Sequence, residues 1–152
     1  MDIEILVNNF RNAIEKAHSN REFNEDYSFT KFPRGCCGDT SDLLAHYLLK
    51  KGIRTFYVWG TFKNGEFEDI QSHAWLLLED VETIIDITGD QFKDDIIFYN
   101  YDKSVYIGKE DNFHKLFNVN NRNISENNGI ESLGRNCQPR LIELYNTITK
   151  YL

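Results

Sequence analysis

Gly35-Cys36-Cys37-Gly38-Asp39 opens a stretch in which Leu43, Leu44, Tyr47 and Leu48 recur at helical spacing, before Gly52 supplies a stop. The pattern predicts an amphipathic helix with a cysteine at its entrance, and Asp39, Thr40 and Ser41 are the expected caps. A thiolate in that position is favoured by the helix dipole and is the reactive form of cysteine. Cys37 lies among small residues and at the inner end of the apolar stripe, which makes it the expected nucleophile, with Cys36 as runner-up. Cys36 and Cys137 otherwise suit buried, inert thiols.

Outward from this helix the periodicity changes. Ile3, Leu6, Val7, Phe10, Ala13, Ile14 and Ala17 predict a first amphipathic helix. Residues 19–34 are polar and irregular, and Pro33 restricts Phe32 ahead of the thiol motif. Downstream, 54–62, 72–78 and 83–88 read as strands, with Asn64-Gly65 as a hairpin turn and an acidic turn around Glu79 and Asp80. A weaker strand is expected at 104–107. Residues 118–128 are dense in Asn and read as a loop. Pro139 begins a closing helix carrying Leu141, Ile142, Leu144, Tyr145, Ile148 and Tyr151. Helix, helix, antiparallel meander, helix is an α+β plan, expected as one domain over 1–152.

Composition excludes several function classes. The 152 residues include 41% hydrophobic and 14% aromatic residues, enough for one core, and the net charge is −7. No basic run offers phosphate contacts, so a nucleic-acid partner is not expected. Nor does any apolar stretch reach the roughly 20 residues that span a bilayer. The acidic N-terminus Met1-Asp2-Ile3-Glu4-Ile5 is unlike a signal peptide. Three cysteines, two of them adjacent, do not make a disulfide framework; free thiols in the cytoplasm are expected.

His73 opens one apolar strand, and Asp86 interrupts Ile84, Ile85 and Ile87 in the next. A carboxylate among isoleucines needs a partner. A hairpin turn centred on Glu79 and Asp80 places His73 directly opposite Asp86, within reach of a hydrogen bond. His18 and His46 suit solvated or packing roles, and His114 a structural one. Zinc on Cys37, His73 and Asp86 is the competing chemistry, but no CxxC or HExxH spacing accompanies it. There is no glycine-rich phosphate loop, and no cofactor is expected.

Gly35-Cys36-Cys37-Gly38-Asp39, His73-Ala74-Trp75-Leu76 and Ile85-Asp86-Ile87-Thr88 together resemble the helix entry, His-Ala-Trp strand and Asp-x-Thr strand of the transglutaminase-like superfamily. The resemblance covers Gly35 to about Phe92. It implies a papain-like α+β fold in which Cys37 is the nucleophile, His73 the base and Asp86 the orienting acid. It also implies acyl transfer through a thioester, as in peptidases, amidases, deamidases and transglutaminases. The backbone N–H of Cys37 is the first expected oxyanion donor, and Gln91 is the candidate second, with Gln71 behind it. Trp59 and Trp75 are expected mainly in the core, with an apolar wall for the substrate as their alternative role. A peptide or protein substrate is the expected partner, and the sequence carries no signal for oligomeric state. The alternative is a non-catalytic binding module on the same scaffold.

Overall fold

The structure, a computed structural model, describes residues 2–62 and 71–152. Helix α1 (Ile3–Ser19) begins where the Asp2 carboxylate accepts from the Glu4 N–H at 2.9 Å. Its Leu6, Val7, Phe10, Ala13, Ile14 and Ala17 are buried, as their spacing requires. Helix α2 (Cys37–Lys50) buries Leu43, Leu44 and Leu48 and stops just before Gly52, whose positive φ of 82° suits glycine. The expected caps do not cap it. Cys36 occupies the N-cap position with no side-chain cap, while the Asp39 carboxylate is drawn to Arg140 at 2.7 Å. A tertiary ion pair has taken the side chain that a local rule assigned to the helix end.

Strands β1 (Thr55–Phe62), β2 (Ser72–Leu78), β3 (Ile84–Asp86) and β4 (Tyr106–Gly108) form an antiparallel meander. Asn64-Gly65 lies outside the described residues. On its other edge β1 pairs with β5 (Phe117–Asn118) and with β6 (Ile124–Glu126), so among the described residues the sheet has six strands. The last of these corrects the loop expected over 118–128. Its Asn content disfavours a strand, but the free edge of β1 supplies backbone partners for Ile124, Ser125 and Glu126. Helix α3 (Gln138–Thr149) closes the chain with Pro139 in its first turn.

The two faces of the sheet are covered differently. Ala74, Leu76 and Leu78 alternate with His73, Trp75 and Leu77 along β2. Leu76, Leu78, Ile85 and Ile107 belong to the core that includes all three helices. Trp75, Ile84, Val58 and Leu77 belong to a second, aromatic core with Phe92, Phe98, Phe113 and Phe117. That second core comes from the connections around β3 and β4, and it encloses the candidate site.

Arg11 ties α1 to the chain just after β3. It is only 5% exposed, and its guanidinium grips Asp90 through two bonds of 2.7 and 2.8 Å while also donating to the Ile87 carbonyl at 2.6 Å. Removing one partner of a buried pair strands the other charge. Arg11→Met is therefore expected to lower the unfolding free energy by about 3–5 kcal/mol in urea titrations. A loss below about 1 kcal/mol would show that the pair is only ornamental to the fold.

Candidate active site

The segment after β2 explains how His73 and Asp86 meet. Leu78 N–H donates to Thr83 O at 2.9 Å, leaving Glu79–Glu82 as the turn. Within it the Asp80 carboxylate accepts from the Glu82 and Thr83 N–H groups, and Val81 takes a positive φ of 58°. This turn sets Leu76 opposite Ile85 and Leu77 opposite Ile84. The expected register, centred on Glu79 and Asp80, is thus off by two residues, and His73 and Asp86 are diagonal rather than directly opposed. A two-residue shift keeps every side chain on its own face, whereas a one-residue shift would not. Both groups remain on the aromatic face, and His73 Nε2 lies 2.7 Å from Asp86 Oδ2.

Asp86 also ends its strand. Its Oδ1 accepts the Thr88 N–H at 2.9 Å, a local turn that makes β3 shorter than the expected 83–88. The chain then enters a single 3₁₀ turn at Gly89–Phe92. A side chain at position 89 would bring its Cβ to 2.6 Å from the Tyr101 ring, so the close approach requires glycine. This turn carries Gln91 back to His73: the Gln91 amide nitrogen lies 3.1 Å from His73 Nδ1 and donates to Thr88 O at 3.1 Å. Gln71 is exposed just ahead of β2, its carbonyl accepting from the Phe62 N–H.

The two adjacent thiols have different environments. Cys36 is 1% exposed, and its Sγ donates to the Ser28 and Arg34 carbonyls, each at 3.2 Å. Burial pushes this thiol up to about 11. Cys37 is partly buried at the first position of α2. Burial would raise its pKa too, but interaction with the His73 ring and the Ala74 N–H outweighs this and lowers it. His73 is held in its cationic form, up to about 9, because the Asp86 carboxylate overcomes the desolvation of a fully buried ring. Desolvation likewise opposes ionisation of Asp86, yet His73 and His114 keep its carboxyl well below the usual range. Cys37 thus interacts with the His73 ring, and thiol–imidazole contacts commonly tighten when substrate binds.

His114 is the residue that sequence reasoning missed. Instead of a purely structural ring, it offers Nε2 to the same Asp86 Oδ2 at 2.8 Å and Nδ1 to Asp111 Oδ1 at 2.6 Å. The available signal was Asp111 three residues ahead, a spacing at which an aspartate in a turn reaches back to its neighbours. Trp75 is buried against both histidine rings, as expected of a core residue, but Trp59 is 40% exposed on the sheet. His46 is structural, accepting the Ile130 N–H at 3.0 Å.

His73, Asp86 and His114 have ligand-type atoms within 4.8 Å of one another. Both histidines, however, converge on a single carboxylate oxygen at 2.7 and 2.8 Å, hydrogen-bond lengths that are shorter than the roughly 3.3 Å between two ligand atoms sharing one tetrahedral zinc with bonds of about 2.0–2.2 Å. The arrangement is that of a proton-holding network. No family model matches this chain, and neither a curated protein nor a solved structure matches it. No described helix is long and apolar enough to cross a membrane.

Proposed function

We propose that this protein is a cysteine-nucleophile enzyme acting on amide bonds through a thioester, on a papain-like scaffold of the transglutaminase-like kind. The observation that carries this reading is the His73 ring fixed at 2.7 Å on a buried, ionised Asp86, beside a Cys37 thiol whose pKa is lowered at a helix N-terminus. The likeness rests on the Gly35–Asp39, His73–Leu76 and Ile85–Thr88 motifs. A reducing, cytoplasmic setting suits its free cysteines.

In the proposed reaction the Cys37 proton already rests on His73 Nδ1, leaving a thiolate beside an imidazolium, and the sulfur attacks the substrate carbonyl carbon. First-turn amides of a helix lack intrahelical partners, so the Cys37 N–H can receive the developing oxyanion. Gln91 can add a second donor by turning its amide from His73 toward the carbonyl. Collapse of the tetrahedral species breaks the C–N bond, and His73 returns the proton to the departing amine. Water or an amine then loses a proton to His73 and attacks the thioester, which regenerates the thiol. Asp86 holds the ring with Nε2 protonated and offsets the imidazolium charge.

Two measurements test this reading. Iodoacetamide should alkylate Cys37 well below pH 8.5, the range where an ordinary thiol becomes a thiolate. Glutamine- or amide-containing peptides incubated with hydroxylamine should give hydroxamates through an acyl-enzyme visible by intact mass. Because His73 keeps its proton up to about 9, acyl transfer should decline as pH rises through that value, when the general acid is lost. A Cys37 that stays unmodified at neutral pH, with no acyl-enzyme, would leave the binding-module reading in its place.

A further inference from the structure

His114 stands behind the proposed site in a way that the reaction just described does not use. Both of its ring nitrogens face carboxylates, Asp111 Oδ1 at 2.6 Å and Asp86 Oδ2 at 2.8 Å. A neutral imidazole has one N–H, so two carboxylate acceptors on one ring require the doubly protonated cation. The ring is completely buried, where a charge persists only if it is paired. Its partners are fixed in turn. Asp111 also takes the His114 N–H at 2.8 Å and the Tyr101 hydroxyl at 3.0 Å, while Asp86 takes His73 and the Thr88 N–H.

Resting on the proposed reading of the site, we propose that His114, clamped by Asp111, is a positioning residue whose positive charge shares Asp86 with His73 and so sets the pH at which His73 releases its proton. A carboxylate serving one cation would hold that proton more tightly. One serving two cations through the same oxygen holds each less tightly, which moves the acid–base group toward the working pH.

Among the described residues, the titratable groups facing His114 fit this arrangement. Asp111 lies on its own segment, Asp86 on β3 and His73 on β2, while Tyr106 of β4 stacks on the ring at 5.4 Å and Tyr101 meets it edge-on at 6.0 Å. Burial, reinforced by Asp111, holds both tyrosines above their usual range, so neither ionises in the range where His73 titrates. Trp75 and Phe113 complete the enclosure without charge. His114 itself is raised by its two carboxylates against the opposing effect of desolvation.

The test is ¹⁵N NMR of the histidine rings in the full chain, alongside the pH profile of Cys37 alkylation. In the wild type both His114 nitrogens should carry protons at pH 7; a neutral His114 there overturns the proposal without any variant. His114→Gln keeps an N–H donor for Asp86 but removes the charge. It should move the His73 titration, near 9 in the parent protein, upward by about one pH unit or more. Asp111→Asn should act in the same direction by less, because it lets His114 become neutral while leaving its bond to Asp86. A folded His114→Gln protein with an unmoved His73 titration would reduce His114 to a packing role. Wild-type Cys37 that resists alkylation would instead defeat the nucleophile reading, and the His73 titration would still judge the role of His114.

Discussion

Cys37→Ala is expected to abolish alkylation near neutral pH and to remove the acyl-enzyme altogether, while Cys36→Ala leaves both largely intact. The contrast follows from surroundings rather than from residue type. Cys36 donates its thiol to two carbonyls and is kept protonated by burial, so little of it exists as thiolate at neutral pH. Cys37 interacts with His73 and the Ala74 N–H, both of which favour the anion. Loss of a nucleophile costs on the order of 10⁶-fold in turnover in enzymes of this logic. Cys36→Ala should instead cost about 1 kcal/mol of stability, through two weak bonds and a little lost volume. Peptide mapping of the iodoacetamide adduct checks the assignment. Label that disappears in Cys36→Ala and survives in Cys37→Ala would move the nucleophile by one residue.

Asp86 carries the largest combined effect on stability and rate. Asp86→Ala leaves the buried His73 and His114 without the acceptor they share, and a stranded buried charge costs about 3–5 kcal/mol. Asp86→Asn isolates the chemical role. Oδ2 accepts from two histidines and Oδ1 from the Thr88 N–H, so an amide cannot satisfy the site while both rings still donate to it. With its oxygen toward Thr88, its NH₂ faces two ring nitrogens, which forces His73 to become an acceptor at Nε2 and to place its proton on Nδ1. The ring then cannot take the thiol proton. Turnover should fall by about 10⁴-fold, as when an orienting carboxylate is replaced by its amide. Urea titration should show a smaller stability loss than for Asp86→Ala. An Asp86→Asn protein that folds and turns over within tenfold of the parent would remove Asp86 from the proposed mechanism.

What the amino-acid order determined by itself was local. Helical spacing in 3–17 and 43–48, the run of 72–78 and Pro139 led to α1, α2, β2 and α3 because each pattern reports which face of an element avoids water. Asp86 among isoleucines announced a buried carboxylate in need of donors, while Cys37 stood out by its small neighbours at a helix entrance and His73 by its motif. Only the tertiary structure decided the rest. The Asp80-centred turn shifted the β2–β3 register by two, a choice invisible to periodicity because both registers bury the same face. Arg140 claimed Asp39 from its expected cap, Arg11 anchored Asp90, and the open edge of β1 turned an Asn-rich segment into β6. His114 reached Asp86 across 28 positions of chain, a distance over which no repeat or spacing carries information. Such partners are chosen by burial, since a charge taken out of water is held only where folding brings its counter-charge.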